Sequence, residues 1–391
     1  MQKVDVVILG AGAAGMMCAI EAGRRGRRVV LLDHAERVGK KILISGGGRC
    51  NFTNIHCRPE NFISENPHFA KSALARFTPA DIVAMVEKHR IPYYEKTLGQ
   101  LFCDRSAQDI ISMLEKECAE ARVKTIVGAR VTSVVRDKHF RVETPEATWE
   151  AETVVVATGG LSIPKMGATG FGYMLAEQFG LRVVECRPGL VPFVFSAEDR
   201  EQWSDLAGIS ATVIARSGAR QKLASFQEKM LVTHRGLSGP AILQVSSYWR
   251  PGETITIDLA PNIEVMTPLL ARNARRDVAT AALAIRAVLP VRMAERWVAL
   301  HHPPDWTNAS LAAMEQQLHT WQIVPAGTEG YAKAEVTAGG VDTAELDAKT
   351  MQCRKVPGLY IIGEVVDVTG WLGGYNFQWA WASGFSAGNA V

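Results

Sequence analysis

The sequence predicts an α/β fold in which parallel strands alternate with helices and a long insertion interrupts them. Three observations predict it. The stretch "VDVVILGAGAAG" joins an apolar run, Val4 to Leu9, to a glycine-rich turn and then to the helix-compatible residues Ala13 to Ala22. A second apolar run, "RVVLLD", ends on an acid, Asp33. A third, "GLYIIGEVVDVTG", returns near the far end of the chain.

The first two runs set the chemistry. A strand, a tight glycine turn and a helix in that order form the dinucleotide-binding fingerprint of a Rossmann domain. Gly10 permits the tight turn, Gly12 lets backbone approach a pyrophosphate, and Gly15 allows the helix to pack closely on the sheet. The helix N-terminus offers unpaired N–H groups and the positive end of its dipole to phosphate. Asp33, at the end of the second strand, is placed to accept hydrogen bonds from ribose hydroxyls.

The order of the next elements selects the dinucleotide. No strand-and-helix unit comes promptly after Asp33. Residues Arg130 to Ala151 read as an antiparallel meander, which feeds a buried strand ending at "ATGG", Ala157 to Gly160. This order resembles the FAD-binding domain of glutathione-reductase-like flavoproteins, so FAD is the expected cofactor. No His or Cys attachment motif is recognisable, so it is expected to bind non-covalently.

In the late run, Leu359 to Ile362 leads into Gly363 and Glu364, which resembles the second FAD signature of that superfamily, an acid at a strand end touching the ribityl chain. Gly373 and Gly374 then precede a helix expected to begin near Asn376. Such a helix aims its positive end at the flavin carbonyl where negative charge develops on reduction. Trp371, Trp379 and Trp381 read as aromatic core packing. The FAD domain is therefore expected to be discontinuous, 1–190 and 335–391. Between its halves, 191–262 carries the strand-like runs "ATVIAR" and "ETITIDL" and reads as a β-rich domain, and 263–334 reads as a small helical domain. In the first of these, Ser238 or Gly239 caps a helix with Pro240 in its first turn.

Composition removes several classes. The formal net charge of +3 gives no overall basic footprint for nucleic acid, so local clusters must carry any such partner. The seven cysteines show no C-x-x-C pair and no metal-like Cys/His spacing, which points to free thiols in a reducing cytosol and to no metal. Charged residues and glycines interrupt the apolar N-terminus, so neither a signal peptide nor a membrane span is expected. There is no second fingerprint with a trailing acid. NADH or NADPH is therefore expected to act as a transient reductant.

The blocks "GAGAAG", "KKILISGGGRCNFTN", "TVVVATGG", "THRGLSGPA", "EVTAGGV", "GLYIIGEVVDVTG" and "GGYNFQWAWASG" together resemble the BaiN/RdsA family of NAD(P)/FAD-dependent oxidoreductases, also called YhiN-like flavoproteins. "GQLFCDRSAQDI", with Cys103 where many members carry proline, and "GTEGY" resemble the RdsA branch. That resemblance implies conversion of uridine to dihydrouridine in large-subunit (23S) ribosomal RNA. The other branch reduces bile-acid intermediates. Both chemistries add hydride to the β carbon of a C=C bond conjugated to a carbonyl and protonate the α carbon. A small-molecule ene-reductase and a flavin-binding protein with a non-catalytic partner role are the competing readings.

Beside the fingerprint, the expected cofactor contacts are Ala14, Lys40, Lys41, Ser45, Gly46, Gly47, Gly48, Arg49, Asn51, Val131, Thr158, Gly159, Gly363, Glu364, Gly374, Asn376 and Phe377. Consecutive glycines let main chain pass close to a ligand or turn at positive φ. Lys40, Lys41 or Arg49 can neutralise phosphate. Arg49 reads equally well as a structural ion pair, and Asn51 and Asn54 as flavin donors or as turn stabilisers.

A thiol is mostly protonated at neutral pH, so Cys103 and Cys50 are candidate proton donors, with His234 behind them. The competing reading makes each cysteine a small buried hydrophobe. His301 and His302 read as loop or surface residues. Arg24, Arg25, Arg27 and Arg28, and the run Arg272, Arg275, Arg276, Arg286, Arg292 and Arg296, are candidate contacts for ribosomal RNA phosphates or else solvated faces.

Overall fold

A computed structural model of the chain describes residues 1–217 and 224–391. They form two compact units, Met1–Arg187 with Val336–Val391, and Pro188–Glu335.

The first unit is built on a sheet whose parallel part runs, edge inwards, Lys124–Ile126, Val29–Leu32, Gln2–Leu9, Thr148–Val156 and Leu359–Ile361. Thr148–Val156 has two characters. Its first half alternates in burial and pairs with Phe140–Glu143 in the antiparallel meander. Its second half, "TVVV", is apolar because Gln2–Leu9 and Leu359–Ile361 flank it inside the sheet. One strand thus joins meander to parallel core, in the order that the sequence suggests.

Helix Ala13–Arg24 crosses from the first strand and packs on the C-terminal helix Tyr375–Gly388. Contact is close because the latter carries glycine: a methyl group at Gly384 would lie 2.4 Å from the Ala14 carbonyl oxygen. Trp379 and Trp381 are buried in this core, and their indole N–H groups donate to the Gly363 and Phe52 carbonyls at 3.0 and 2.8 Å. A separate sheet of Asn51–Asn54, Gln100–Cys103 and Tyr93–Glu95 carries the end of the "SGGGRCNFTN" stretch.

The third parallel strand does exist, but only after the excursion that contains this small sheet. Lys124–Ile126 is a short polar edge strand, and so it lacks an apolar signature.

The second unit corrects the expected division at residue 262. Its antiparallel sheet runs Trp321–Ile323, Ile255–Asp258, Ser210–Ser217, Ala224–Val232, Gly236–Ser238, Phe193–Val194 and Gly327–Thr328. Both outer strands come from the segment expected to be a separate helical domain. Trp203, Trp297 and Trp321 then form one aromatic cluster with centroids 4.9 to 6.1 Å apart, tying the helices to the sheet. Burial of three indoles across the expected boundary leaves one core, not two. Gly239 caps helix Pro240–Ser246. His301 is neither loop nor simple surface: it ends helix Val291–His301 and stacks on Trp297 at 4.1 Å. Among the described residues no helix is long and apolar enough to cross a membrane.

Candidate functional site

The glycine turn is built by sterics. A methyl at Gly10 would lie 2.4 Å from the Ala157 carbonyl oxygen, and one at Gly15 would lie 1.9 Å from that of Gly10. These two glycines let strand, turn and helix close on each other. Gly12 differs, since a methyl there meets nothing within 4 Å. It caps helix Ala13–Arg24 with extended backbone, no side-chain cap and no acid in the first turn. The helix N-terminus therefore faces open space with its donors and positive dipole, as an anion requires. Ala14 lies in this first turn and is buried.

Asp33 stands beside the turn. Its carboxylate accepts from Ala11 N at 2.7 Å and Ala35 N at 2.8 Å, which fixes its orientation while leaving lone pairs. The Asp33 carbonyl accepts from Ala129 N at 2.8 Å, so the half-buried Val131, two residues on, borders the same region. Across the turn, Thr158 Oγ1 is buried without a hydrogen-bond partner among the described residues, and a methyl at Gly159 would meet nothing within 4 Å. A buried hydroxyl left unpaired is costly unless a ligand satisfies it.

Lys41 and Glu364, 323 positions apart, form an ion pair at 2.7 Å. Ser162 joins it, accepting from Lys41 Nζ at 2.6 Å and donating to Glu364 Oε1 at 3.1 Å. Thr337 N donates to Glu364 Oε1 at 2.8 Å. Lys41 is thus held by an acid and not free for phosphate alone. Ser162 and Thr337 are the residues the motif reading misses; Thr337 lies inside the quoted "EVTAGGV" block, which is its available signal. Lys40, half-buried at the start of helix Lys40–Ile44, makes no ion pair among the described residues.

The loop Ser45–Gly48 uses glycine for torsion. Gly46, Gly47 and Gly48 have φ of 57°, 67° and 85°, and Cys50 comes next but one at 51°. A methyl at Gly47 meets nothing within 4 Å. Arg49 donates to the Tyr94 hydroxyl at 3.2 Å, so its partner is a phenol and not the acid of a structural ion pair.

The asparagines of this block stabilise a turn. Asn54 Nδ2 donates to the Gly373 carbonyl at 2.9 Å. With its amide nitrogen turned to the Leu101 and Thr53 carbonyls, Asn51 accepts from Gly374 N at 3.1 Å. Gly374, at φ 95°, caps helix Tyr375–Gly388 and lies so close to Thr53 that a methyl would sit 2.4 Å from its carbonyl oxygen. Asn376 is likewise occupied, bridging Gly370 N and O at 2.8 and 2.9 Å, and Phe377 stacks on Trp381 at 5.8 Å. The glycine loop and the C-terminal helix entry are therefore one construction.

The structure weighs against the proton-donor expectation. Cys50 and Cys103 are both 0% exposed within the apolar core. Cys103 N donates to the Arg49 carbonyl at 3.0 Å, at the strand end next to Cys50. Burial pushes the Cys103 thiol up to about 12 and raises Cys50 as well. A buried thiol of raised pKa neither reaches a substrate nor gives up its proton readily. Both behave as small hydrophobes. His234 lies in the second unit, exposed on the turn between two strands.

The arginine clusters are also largely spent within the fold. Arg24 pairs with Glu117 and Glu21, Arg25 donates to the Val391 carbonyl, Arg27 pairs with Glu152, and Arg28 with Asp5. In the second unit Arg275 pairs with Asp277, Arg286 with Glu295, and Arg296 with Asp205; Arg276 and Arg292 donate to carbonyls. Asp205 is distant in sequence from the arginines it meets, so counting local acids does not find it.

Comparison with known proteins places the chain. The family described as HI0933-like protein Rossmann domain matches residues 4–390, and the chain belongs to that family. It is 50% identical to the ribosomal RNA dihydrouridine synthase of Escherichia coli K12 over 99% of this chain and 97% of that one. It is 32% identical to the 3-dehydro-bile acid delta(4,6)-reductase of Clostridium scindens, covering 98% of each. A 3-ketosteroid-delta4-(5alpha)-dehydrogenase from Rhodococcus jostii RHA1 shares the fold at TM-score 0.52 and 13% identity, covering 100% of this chain and 96% of that one.

Proposed function

We propose that this member of the HI0933-like family is an FAD-dependent oxidoreductase that adds hydride and a proton across the C5=C6 bond of uridine in large-subunit ribosomal RNA. The observation that carries the reading is 50% identity, along nearly the whole of both chains, to a relative named ribosomal RNA dihydrouridine synthase. The geometry agrees with it. Gly12 and the open N-terminus of helix Ala13–Arg24 would hold the pyrophosphate, Asp33 the ribose, and the unpaired Thr158 hydroxyl a polar group of the cofactor. Glu364 would meet the ribityl chain with its charge balanced by Lys41.

A flavin held by these residues would supply hydride chemistry when reduced, and the acceptor would be C6 of uracil, the carbon β to the C4 carbonyl. The chain's own part is placement. The positive end of helix Tyr375–Gly388, held by Asn51 and Asn54 through Gly373 and Gly374, would stabilise charge at the flavin carbonyl. The proton for C5 then comes from water, since neither cysteine reaches the surface. Reducing equivalents come from NADH or NADPH binding transiently.

The second reading, a free-enone reductase, draws on the 32% identity to a bile-acid reductase, whose name implies the same conjugated C=C chemistry. Nucleoside mass analysis of ribosomal RNA from cells with and without the protein separates them. The RNA reading expects one uridine to gain two hydrogens only when the protein is present. Identical nucleoside profiles, with turnover on free enones, would leave the small-molecule reading.

A further inference from the structure

Most arginines of the two clusters are engaged by acids or carbonyls, whereas Arg272 and several arginines elsewhere have no such partner among the described residues. In the second unit an open groove of about 400 Å³ is lined by Val194, Arg200, His234 and Arg235. The side chains of Arg200 and His234 have no hydrogen-bond or ion-pair partner among the described residues. Arg235, 60% exposed, has one loose partner, Glu329 at 3.5 Å.

The groove is built, not incidental. Thr233 Oγ1 accepts from Arg235 N at 3.2 Å and Gly236 N at 3.0 Å, while Thr233 N donates to the Gly236 carbonyl at 2.8 Å. The Arg235 carbonyl accepts from Phe195 N at 2.9 Å. Gly236 seals the turn against the neighbouring strand, where a methyl would lie 2.1 Å from the Phe193 carbonyl oxygen. His234 and Arg235 are therefore presented outward from a pinned backbone. Acids do occur on the segment carrying Arg200, but Asp199 is bonded to Ser196 at 2.7 Å, and Glu198 and Glu201 are exposed. Among the described residues, the groove wall carries two guanidinium groups, an imidazole and one valine.

We propose that this groove binds the sugar-phosphate backbone of the RNA substrate, Arg200, Arg235 and His234 contacting phosphate oxygens. The inference rests on the RNA reading of the function. Its support is chemical: exposed guanidinium groups without full internal partners suit phosphate oxygens, and an open groove suits a strand that enters and leaves. These contacts position the RNA and do not read its bases.

The test uses full-length, FAD-loaded protein and a large-subunit ribosomal RNA transcript, with affinity measured across a salt series. In R200Q/R235Q the salt slope should fall by about 1 to 2 and low-salt affinity by roughly tenfold, each single variant giving about half the slope change. FAD content equal to wild type reports an intact fold, and because both side chains are solvent-facing the single variants suffice if the double does not fold. Wild-type affinity and slope in the variants, with wild-type protein reducing the RNA, would overturn the groove alone. A wild-type protein that neither binds nor reduces RNA would overturn the function reading and the groove with it. Lost binding to a polyglutamate peptide with RNA binding intact would give the groove to an acidic protein instead.

Discussion

The Gly10–Gly15 turn and the Ser45–Gly48 loop are both glycine-rich, yet they need glycine for opposite reasons. In the turn, Gly10 and Gly15 are required because backbone from another segment occupies the place of a side chain. In the loop, Gly47 has room for a side chain but a left-handed backbone that side chains resist. Gly12 belongs to neither class: it has ordinary backbone angles and open space, so only room for a ligand accounts for its bareness. Glycine content alone does not mark a binding site; the neighbourhood of the missing Cβ does.

Substitutions sharpen the contrast. Gly15→Ala should have the largest effect. Its methyl would overlap the Gly10 carbonyl oxygen, and relief requires moving helix Ala13–Arg24 off the sheet. We expect a loss of more than about 3 kcal/mol, read as a collapse of the urea midpoint or as insoluble protein. Near-wild-type unfolding would break the steric account of the turn.

Gly12→Val should do the reverse, leaving the apoprotein's unfolding midpoint close to wild type and abolishing flavin retention through gel filtration. Full FAD occupancy in that variant would remove the pyrophosphate from this position.

Acid should act on the first region before the second. Arg24, at the far end of the helix that Gly12 opens, pairs with the buried Glu117, as do Lys88 and His89. Burial alone would raise the Glu117 carboxyl, but these partners outweigh it and hold it at about 2. The folded value lies below the unfolded one, near 4.5, so this stability is complete above pH 4.5 and is lost as pH falls towards 2. Its size is about 3 kcal/mol. Glu117→Gln should flatten stability against pH in that window; an unchanged acid profile would deny the anchor.

Gly47→Ala should cost only about 1 kcal/mol, the strain of a left-handed alanine with nothing to strike. A loss as large as that of Gly15→Ala would erase the distinction. Smallest in function are Cys50→Ala and Cys103→Ala. Each removes a buried sulfur and so lowers stability by about 1 kcal/mol, while RNA reduction per folded, flavin-loaded molecule stays at wild type. A rate drop of roughly 10²-fold or more would restore a thiol proton donor.

Legibility follows distance along the chain. Strand, glycines, helix, strand and Asp33 lie within one short stretch, and periodicity and spacing reveal them. The meander, the "ATGG" strand and the C-terminal helix are also legible, because each carries its apolar pattern locally. Lys124–Ile126 is not, being a short polar edge strand. Nor is the Lys41–Glu364 pair, nor the Asp205–Arg296 pair, because each partner looks like an ordinary charged residue until the fold brings them together. The burial of Cys50 and Cys103 is not legible either, because a motif shows where a thiol lies in sequence, not whether solvent reaches it. The helical segment reads as a separate domain because its outer strands, Trp321–Ile323 and Gly327–Thr328, are too short to announce a sheet.

The most direct test of the central claim is an anaerobic single turnover. Protein with reduced flavin and no free nicotinamide is mixed with large-subunit ribosomal RNA, the flavin absorbance is tracked, and dihydrouridine is counted by nucleoside mass analysis. The account predicts that the flavin reoxidises and that one dihydrouridine appears per flavin. Flavin that stays reduced on RNA but reoxidises on a free enone would contradict it.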